Sequence, residues 1–180
     1  SRIGMNKDPI SKIDDFRNII ESGIGDKVDI AFLKFCYVDI TKDTDIELLI
    51  KHYSNTISYL KERHPRVQFI HCTVPLQAVS QGVRTKIKRL LGRYSWIEEN
   101  NIKRNLFNKM LMEKYEKEGT LFDLAGYEST YNNGRRFVFS KDNHNYFSLI
   151  PEYAEDLGHL NELGRKIIAK RLLTYLVFFK

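Results

Sequence analysis

Two apolar runs without helical periodicity place the strongest constraint on the fold of this chain of 180 residues. They are VDIAFLKFCYV at 28–38 and VQFIHCTVPL at 67–76, and both are rich in β-branched and aromatic residues. Runs of this kind are typical of strands buried on both faces, as in a parallel sheet. A shorter run, TLFDLAG at 120–126, predicts a third strand.

Four amphipathic segments alternate with these strands and are predicted to be helices. They cover residues 11–22, 43–63, 100–117 and 162–176. Alternating helices and strands predict a three-layer α/β/α sandwich with a mainly parallel sheet, of flavodoxin-like type. The length fits a single domain over residues 1–180. Residues 127–151 show no periodicity, so we expect a long loop over one end of the sheet.

Composition and residue spacing limit the kinds of protein and of binding site that this chain can form. No apolar run approaches the roughly 20 residues that span a bilayer, so we expect no membrane span, while the localisation stays open. Cys36 and Cys72 form neither a disulfide framework nor a metal motif and are expected to be small core residues. Metal-ligand spacing and glycine-rich phosphate loops are both absent from the sequence, so we expect neither a metal nor a cofactor.

Basic residues are densest in VRTKIKRLLGR at 83–93, within a chain whose net charge is +6. A patch of this kind could bind nucleic acid or another polyanion. No recognised nucleic-acid-binding motif accompanies it, so we interpret it as a solvated helix face and expect no nucleic-acid partner.

Ligands of open parallel sheets bind beyond the carboxyl ends of the strands. Six residues of this chain follow the predicted strands there: Tyr37, Val38, Asp39, Thr73, Pro75 and Asp123. Asp156 and His159 precede the last helix and could reach the same rim. An aspartate three residues before a histidine can fix the imidazole tautomer and stabilise its protonated form, as a general base requires. The spacing alone fits a helix-capping aspartate beside an exposed histidine equally well.

The context of this pair resembles the last conserved block of the SGNH (GDSL-type) hydrolases. That block, Asp-x-x-His-Leu-Asn-x-x-Gly, is matched by Asp156, His159, Leu160, Asn161 and Gly164. The order of helices and strands is also similar over nearly the whole chain. The resemblance implies a serine ester hydrolase with His159 as the base and Asp156 as its orienting partner.

The same resemblance implies two further site residues, and the chain departs from the family's sequence pattern at two points. Gly4, in RIGMN, looks like the oxyanion-hole glycine, and Asp39 looks like the aspartate of the family's Gly-x-Asn-Asp block, at the site rim. Val38 stands where the family has the asparagine that donates to the oxyanion. No Gly-Asp-Ser sequence is present, so the nucleophile is unknown, and if Gly4 is the family's glycine the serine block would lie before residue 1. Three other serines lack the strand–turn–helix support that a nucleophile needs: Ser1, Ser80 and Ser129.

Two hypotheses about function follow. By resemblance, the chain is the C-terminal portion of an esterase that hydrolyses or transfers an acyl or acetyl group on a small molecule, carbohydrate or lipid, and it is inactive alone. The alternative is a non-catalytic binding domain, or pseudo-hydrolase, for a polysaccharide or other polyanion, which Val38 and the missing serine favour. His71 is expected to be a hydrogen-bonded histidine of the core or of the rim, whereas His144 could line the cleft. If an edge strand of the sheet is missing, apolar parts of the sheet are exposed, so we expect the chain to self-associate.

Overall fold

A parallel sheet of three strands forms the centre of the protein, whose computed structural model describes residues 3–179. The strands are β1 (Ile30–Leu33), β2 (Gln68–Cys72) and β3 (Leu121–Phe122), in the order β1-β2-β3. In the register of the sheet, Phe32 is the partner of Ile70 and Cys72 that of Phe122. The predicted parallel sheet is confirmed.

The described residues also form six α-helices and a second, two-stranded sheet. The helices are α1 (Pro9–Ile19), α2 (Ile46–Arg63), α3 (Val83–Leu90), α4 (Trp96–Tyr115), α5 (Leu124–Glu128) and α6 (Glu162–Phe178), and a π-helical turn (Ile20–Ile24) extends α1. The second sheet is the antiparallel hairpin of β4 (Val138–Lys141) and β5 (His144–Phe147).

Apolar side chains attach helices to both faces of the parallel sheet. Helices α1, α2 and α4 share one core with β1 and β2, which includes Phe16, Leu33, Leu49, Phe69 and Phe107. Helix α6 covers the opposite face, where Ile168 and Leu172 pack on a cluster that includes Ile70, Cys72 and Phe122. The predicted three-layer α/β/α arrangement is confirmed.

The strands are shorter than the apolar runs that predicted them, because side chains take over the backbone hydrogen bonds. After β2, the Val74 amide donates to Asn108 Oδ1 (2.7 Å) and the Leu76 amide donates to the Glu128 carboxylate. The third run keeps only two strand residues, since Asp123 accepts from the Gly126 amide and caps α5 (2.9 Å).

Two other expectations about secondary structure are corrected. Helix α4 begins at Trp96 rather than at residue 100, because Ser95 and Glu98 form a capping box. The expected loop over 127–151 contains the β4–β5 hairpin, whose two-residue turn has positive φ at Asp142 (51°) and Asn143 (62°). Positive φ at both central positions is the geometry of a type I′ turn, for which asparagine and aspartate are favoured residues.

The basic stretch contains α3, in which every residue is exposed or half-buried, as expected for a solvated helix face. Within the described residues, no helix is both long and apolar enough to cross a membrane.

Candidate active site

The carboxyl ends of the strands form a rim that gathers most of the residues expected there. Tyr37 and Asp39 lie in a single 3₁₀ turn that follows β1. Thr73, after β2, donates its hydroxyl to Asp123, after β3 (3.0 Å). The same hydroxyl accepts from the Ala125 amide (2.8 Å), so this part of the rim is a closed hydrogen-bond network that leads into α5.

His159 and Asp156 are paired on this rim. The imidazole Nδ1 lies 2.7 Å from Asp156 Oδ2. The other carboxylate oxygen, Oδ1, accepts from the backbone amides of Gly158 (2.7 Å) and His159 (2.8 Å). Both side chains are well exposed, at 64% for His159 and 59% for Asp156. The carboxylate is therefore held by its own turn and can orient the imidazole without any contribution from the core.

The charge of Asp156 determines the tautomer of His159. The amide of Gly158, the imidazole of His159 and the amide of His159 lower the pKa of the carboxyl to about 2. An ionised carboxylate can only accept, so Nδ1 donates to it, and in the neutral imidazole Nε2 then presents its lone pair. No described residue forms a hydrogen bond with Nε2, which leaves it free to take a proton from a nucleophile.

Tyr37 packs against the imidazole and fixes the orientation of its ring. The two rings meet edge to face with centroids 5.6 Å apart. Gly158 lies beneath Tyr37 so closely that a Cβ at this position would stand 2.5 Å from the tyrosine ring. The guanidinium carbon of Arg104 lies 5.7 Å from the centroid of the same tyrosine ring. The turn that carries His159 therefore fits Tyr37 only with glycine at position 158.

Each remaining residue of the Asp-x-x-His-Leu-Asn-x-x-Gly block has a structural task. Asn161 caps α6 through the Gly164 amide (2.9 Å) and donates to the Glu152 carbonyl (2.8 Å). A Cβ on Gly164 would lie 2.6 Å from the Tyr153 carbonyl oxygen, so this close approach requires glycine. Leu160 forms an isolated antiparallel bridge with Ala154 that closes the turn.

Asp39 lies near the rim but is buried, with 1% of its surface exposed. Lys12 Nζ contacts its Oδ2 at 2.7 Å, and the Cys36 amide donates to the same oxygen at 2.7 Å. The Lys7 amide donates to Oδ1 at 3.2 Å. These contacts give Asp39 the task of fixing the turn that carries Tyr37. Its expected role at the site rim stays a prediction.

Gly4 also lies beside Lys12, close enough that a Cβ would stand 2.6 Å from the lysine backbone nitrogen, and its φ is +59°. Its amide donates to Asp15 Oδ2 at 2.8 Å. An amide used in this way has to leave Asp15 before it can donate to an oxyanion. The oxyanion role of Gly4 stays a prediction.

No serine within the described residues forms a hydrogen bond with the side chain of His159. Ser129 is fully buried and donates to the Ala125 carbonyl at 2.6 Å, which makes it a structural residue. Ser80 accepts from the Thr85 hydroxyl at 3.1 Å. Ser1 lies outside the described residues. The nucleophile is therefore still unknown.

The two other histidines singled out in the sequence differ in environment. His71 is fully buried, stacks on Tyr115 at 3.5 Å and contacts the Tyr53 hydroxyl through Nδ1 at 2.8 Å. Burial lowers its pKa to about 3, so it is a neutral core histidine as expected. His144 lines a cavity of about 810 Å³ between the β4–β5 hairpin and α4. In residues 3–179 no three His, Cys, Asp or Glu side chains come together as a metal site.

Sequence patterns did not reveal Glu128 and Arg104, two buried ionisable groups behind the rim. Burial raises the pKa of the Glu128 carboxyl to about 8, although the Leu76 amide donates to it. Burial also lowers the pKa of Arg104 to about 10, and its guanidinium donates to the Ile40 carbonyl (3.1 Å) and to Asn101 (2.7 Å). The Leu76 amide lies 52 positions from Glu128, and the Ile40 carbonyl lies 64 positions from Arg104, so no short motif could have identified these contacts.

The unfolding free energy should depend on pH through Glu128. The folded pKa, about 8, lies above the ordinary value of 4.5, so the native protein holds a proton that the unfolded chain releases. The contribution of this group is complete below about pH 4.5 and is lost as the pH rises through about 8, at about 1.4 kcal/mol per pH unit. Between about pH 6 and about pH 7.5, urea unfolding should show wild type losing about 2 kcal/mol relative to Glu128→Gln. Glu113→Gln, at an exposed position, should keep the wild-type profile, and a Glu128→Gln profile parallel to wild type would contradict this assignment.

Comparison with known proteins supports a fold but no closer relationship. No protein-family model matches the chain, and no curated protein matches it. A lipolytic protein of the G-D-S-L family from Desulfitobacterium hafniense superposes with a TM-score of 0.55 at 10% identity, over 90% of this chain and 73% of that chain. A Streptococcus pneumonia structure named for platelet activating factor gives 0.54 at 18% identity, over 89% and 67%. The periplasmic domain of the lipopolysaccharide acetyltransferase of Salmonella ser. Paratyphi A gives 0.48 at 13% identity, over 92% and 60%.

The fold assignment comes from the first two structures. The chain spans about two thirds to three quarters of their length, and the matched region extends over nearly all of its own. With its parallel sheet, covering helices and His–Asp turn before α6, the chain has the α/β fold of the SGNH (GDSL-type) proteins.

Proposed function

We propose that this chain supplies the acid–base pair of a serine ester hydrolase or acyltransferase. The observation that carries the proposal is the His159–Asp156 pair, in which Nδ1 is held by the carboxylate at 2.7 Å while Nε2 is free. A histidine in this state accepts a proton from a serine hydroxyl as the serine attacks a carbonyl carbon, and then returns it to the leaving group. The substrate class is an ester, such as an acyl or acetyl group on a carbohydrate or lipid.

The unpaired edge of β1 supports the hypothesis that the nucleophilic serine lies outside these 180 residues. β1 pairs with β2 along one edge, and no described residue forms a strand on its other edge. On the face that α6 covers elsewhere, Ile30 and Phe32 stay 39% and 45% exposed. Exposed apolar side chains beside an unpaired edge favour the addition of another strand.

The carboxyl end of such a strand would lie at the rim that carries His159. Parallel strands end at the same edge of a sheet, and β1 leads directly to Tyr37, whose ring contacts His159. A serine that follows a strand added parallel to β1 would therefore lie near His159 Nε2. This geometry favours the hypothesis that a serine block precedes residue 1, and it fits the absence of any serine hydrogen-bonded to His159 among the described residues.

A comparison of two proteins tests the proposal: the 180-residue chain and a version extended at its N-terminus with the natural upstream sequence. On p-nitrophenyl acetate, we expect activity from the extended protein and only background hydrolysis from the shorter chain. Full activity of the shorter chain that survives His159→Ala would overturn the proposal. An upstream sequence without a strand and a following serine would also overturn it and would leave the non-catalytic binding domain as the better hypothesis.

A further inference from the structure

Helix α3 presents its apolar side to solvent. Three apolar residues of α3 are highly exposed: Leu90 (86%), Val83 (74%) and Ile87 (51%). Two apolar residues that follow the helix, Leu91 (68%) and Trp96 (59%), are exposed as well. No residue of α3 is buried. An amphipathic helix of a globular protein normally packs this side against the core, so the orientation of α3 is inverted.

Polar side chains hold α3 in this orientation. Arg89 Nε contacts Glu98 Oε1 at 2.5 Å, and the carboxylate of Glu98 is almost fully buried. The same guanidinium donates to the Ser80 carbonyl at 2.9 Å and to Gln81 Oε1 at 3.2 Å. On the same side of the helix, the Thr85 hydroxyl contacts Ser80 Oγ at 3.1 Å. The apolar side therefore points outward because the polar side is anchored to the protein.

Free positive charges flank the exposed apolar residues. Four basic residues on or next to α3 are exposed and have no ion-pair partner among the described residues: Arg84, Lys86, Lys88 and Arg93. The sequence contains no aspartate or glutamate between Glu62 and Glu98. The surface is thus both strongly cationic and apolar.

We propose that α3 and Trp96 bind the surface of an anionic lipid bilayer. Interfacial helices combine an apolar side, which enters the boundary of the acyl chains, with lysine and arginine, which contact anionic headgroups. A second copy of the same surface would bring cations against cations, and a nucleic acid would leave the apolar side chains in water. An anionic bilayer satisfies both parts of the surface at once.

The bilayer surface would lie next to the candidate active site. The Ala78 amide donates to the Leu157 carbonyl at 2.9 Å, so the segment that leads into α3 contacts the turn that carries His159. Leu157 is itself 53% exposed. A lipid ester as the substrate follows from this placement and rests on the proposed function, whereas vesicle binding does not depend on catalysis.

Vesicle binding tests the proposal, with Trp96 as the reporter because it is the only tryptophan. Vesicles of phosphatidylcholine with about 30% phosphatidylserine should shift its emission to the blue and co-sediment with the protein at about 0.1 M salt. Pure phosphatidylcholine vesicles should bind far more weakly, and about 1 M salt should release the protein from the anionic vesicles. Absent binding, or equal binding to both kinds of vesicle, would overturn the proposal.

Two double variants separate the contributions of charge and of apolar contact. Lys86→Gln with Lys88→Gln should weaken binding about 25-fold, because each cation near the surface contributes a factor of about five. Leu90→Gln with Leu91→Gln should weaken it at least about tenfold. The matched controls on α6, Lys166→Gln and Leu173→Gln, are exposed and should bind as wild type does. Circular dichroism identifies any variant that fails to fold. If one double variant fails to fold, vesicle binding of the other double variant tests the proposal.

Two other results would indicate that the partner of this surface is not a lipid bilayer. Tight binding to duplex DNA with no binding to vesicles would indicate a nucleic-acid surface. Dimerisation that is lost on Leu90→Gln with Leu91→Gln, without vesicle binding, would indicate a second copy of the chain. Absence of esterase activity from the N-terminally extended protein, with intact vesicle binding, would contradict only the proposed catalytic function.

Discussion

Replacing His159 by alanine in the N-terminally extended protein should reduce ester hydrolysis about 10²- to 10⁴-fold, the usual contribution of a positioned general base. The imidazole is exposed and its only hydrogen-bond partner among the described side chains is Asp156, so the fold should survive the substitution. The loss should appear in kcat and in kcat/KM together, because proton transfer is made only in the transition state. Steady-state kinetics on p-nitrophenyl acetate measure both quantities.

Asp156→Asn should produce a loss of similar size by a different route. An amide that donates to Nδ1 would place the imidazole proton on Nε2, where it blocks proton acceptance from a serine. The amide oxygen can still accept from the Gly158 and His159 amides, so the turn should keep its shape. The pair should also act as a unit, and the double variant should be scarcely slower than His159→Ala alone.

A second histidine–carboxylate pair provides the matched control. His52 Nε2 lies 2.7 Å from Asp14 Oδ1 between α2 and α1, and both side chains are at least a third exposed. His52→Ala and Asp14→Asn remove a pair of the same chemistry that is not part of the rim. These variants should retain full activity. An equal loss in the two pairs, or full activity of His159→Ala, would contradict the assignment of the base.

The parts of the site that could be predicted from the sequence are those held together by neighbouring residues. Asp156 and His159 are three positions apart, and the amides that bind the carboxylate belong to the same turn. Asn161 caps the helix that starts one residue later, as its sequence position indicates. Short-range geometry of this kind is determined by backbone conformation and spacing, so a pattern of a few letters is enough.

The parts that could not be predicted depend on partners brought together by folding. Asp39 meets Lys12 across 27 positions, and Glu128 meets the Leu76 amide across 52. The stretch 83–93 is expected from its sequence to be a solvated helix face, and the side of α3 that faces solvent is determined by the anchoring of Arg89 to Glu98, Ser80 and Gln81. The β4–β5 turn is a different case, because Asp142 and Asn143 are turn residues that a search for hairpins would have found.

Removing the charge of Lys12 should destabilise the protein by about 3–5 kcal/mol, because Asp39 would be left as a buried charge without a counter-ion. The carboxylate of Asp39 is fully buried, and Lys12 Nζ contacts it at 2.7 Å. We therefore expect Lys12→Met to lower the unfolding free energy by this amount in urea titrations. Addition of Asp39→Asn should recover part of the loss, since the second change removes the unpaired charge while an amide oxygen still accepts from the Cys36 amide.

The matched control for this prediction is the exposed pair of Lys166 and Glu162 on α6, whose side chains are 73% and 76% exposed at a separation of 2.6 Å. Lys166→Met should cost only about 0.3–0.5 kcal/mol, because water screens both charges whether or not they are paired. The comparison isolates burial, since both variants replace lysine by methionine in an ion pair of almost the same length. Equal losses at the two positions would show that the turn bearing Tyr37 does not depend on a buried ion pair. A large loss confined to Lys12 would mean that the buried ion pair between α1 and the turn that carries Tyr37 stabilises the fold.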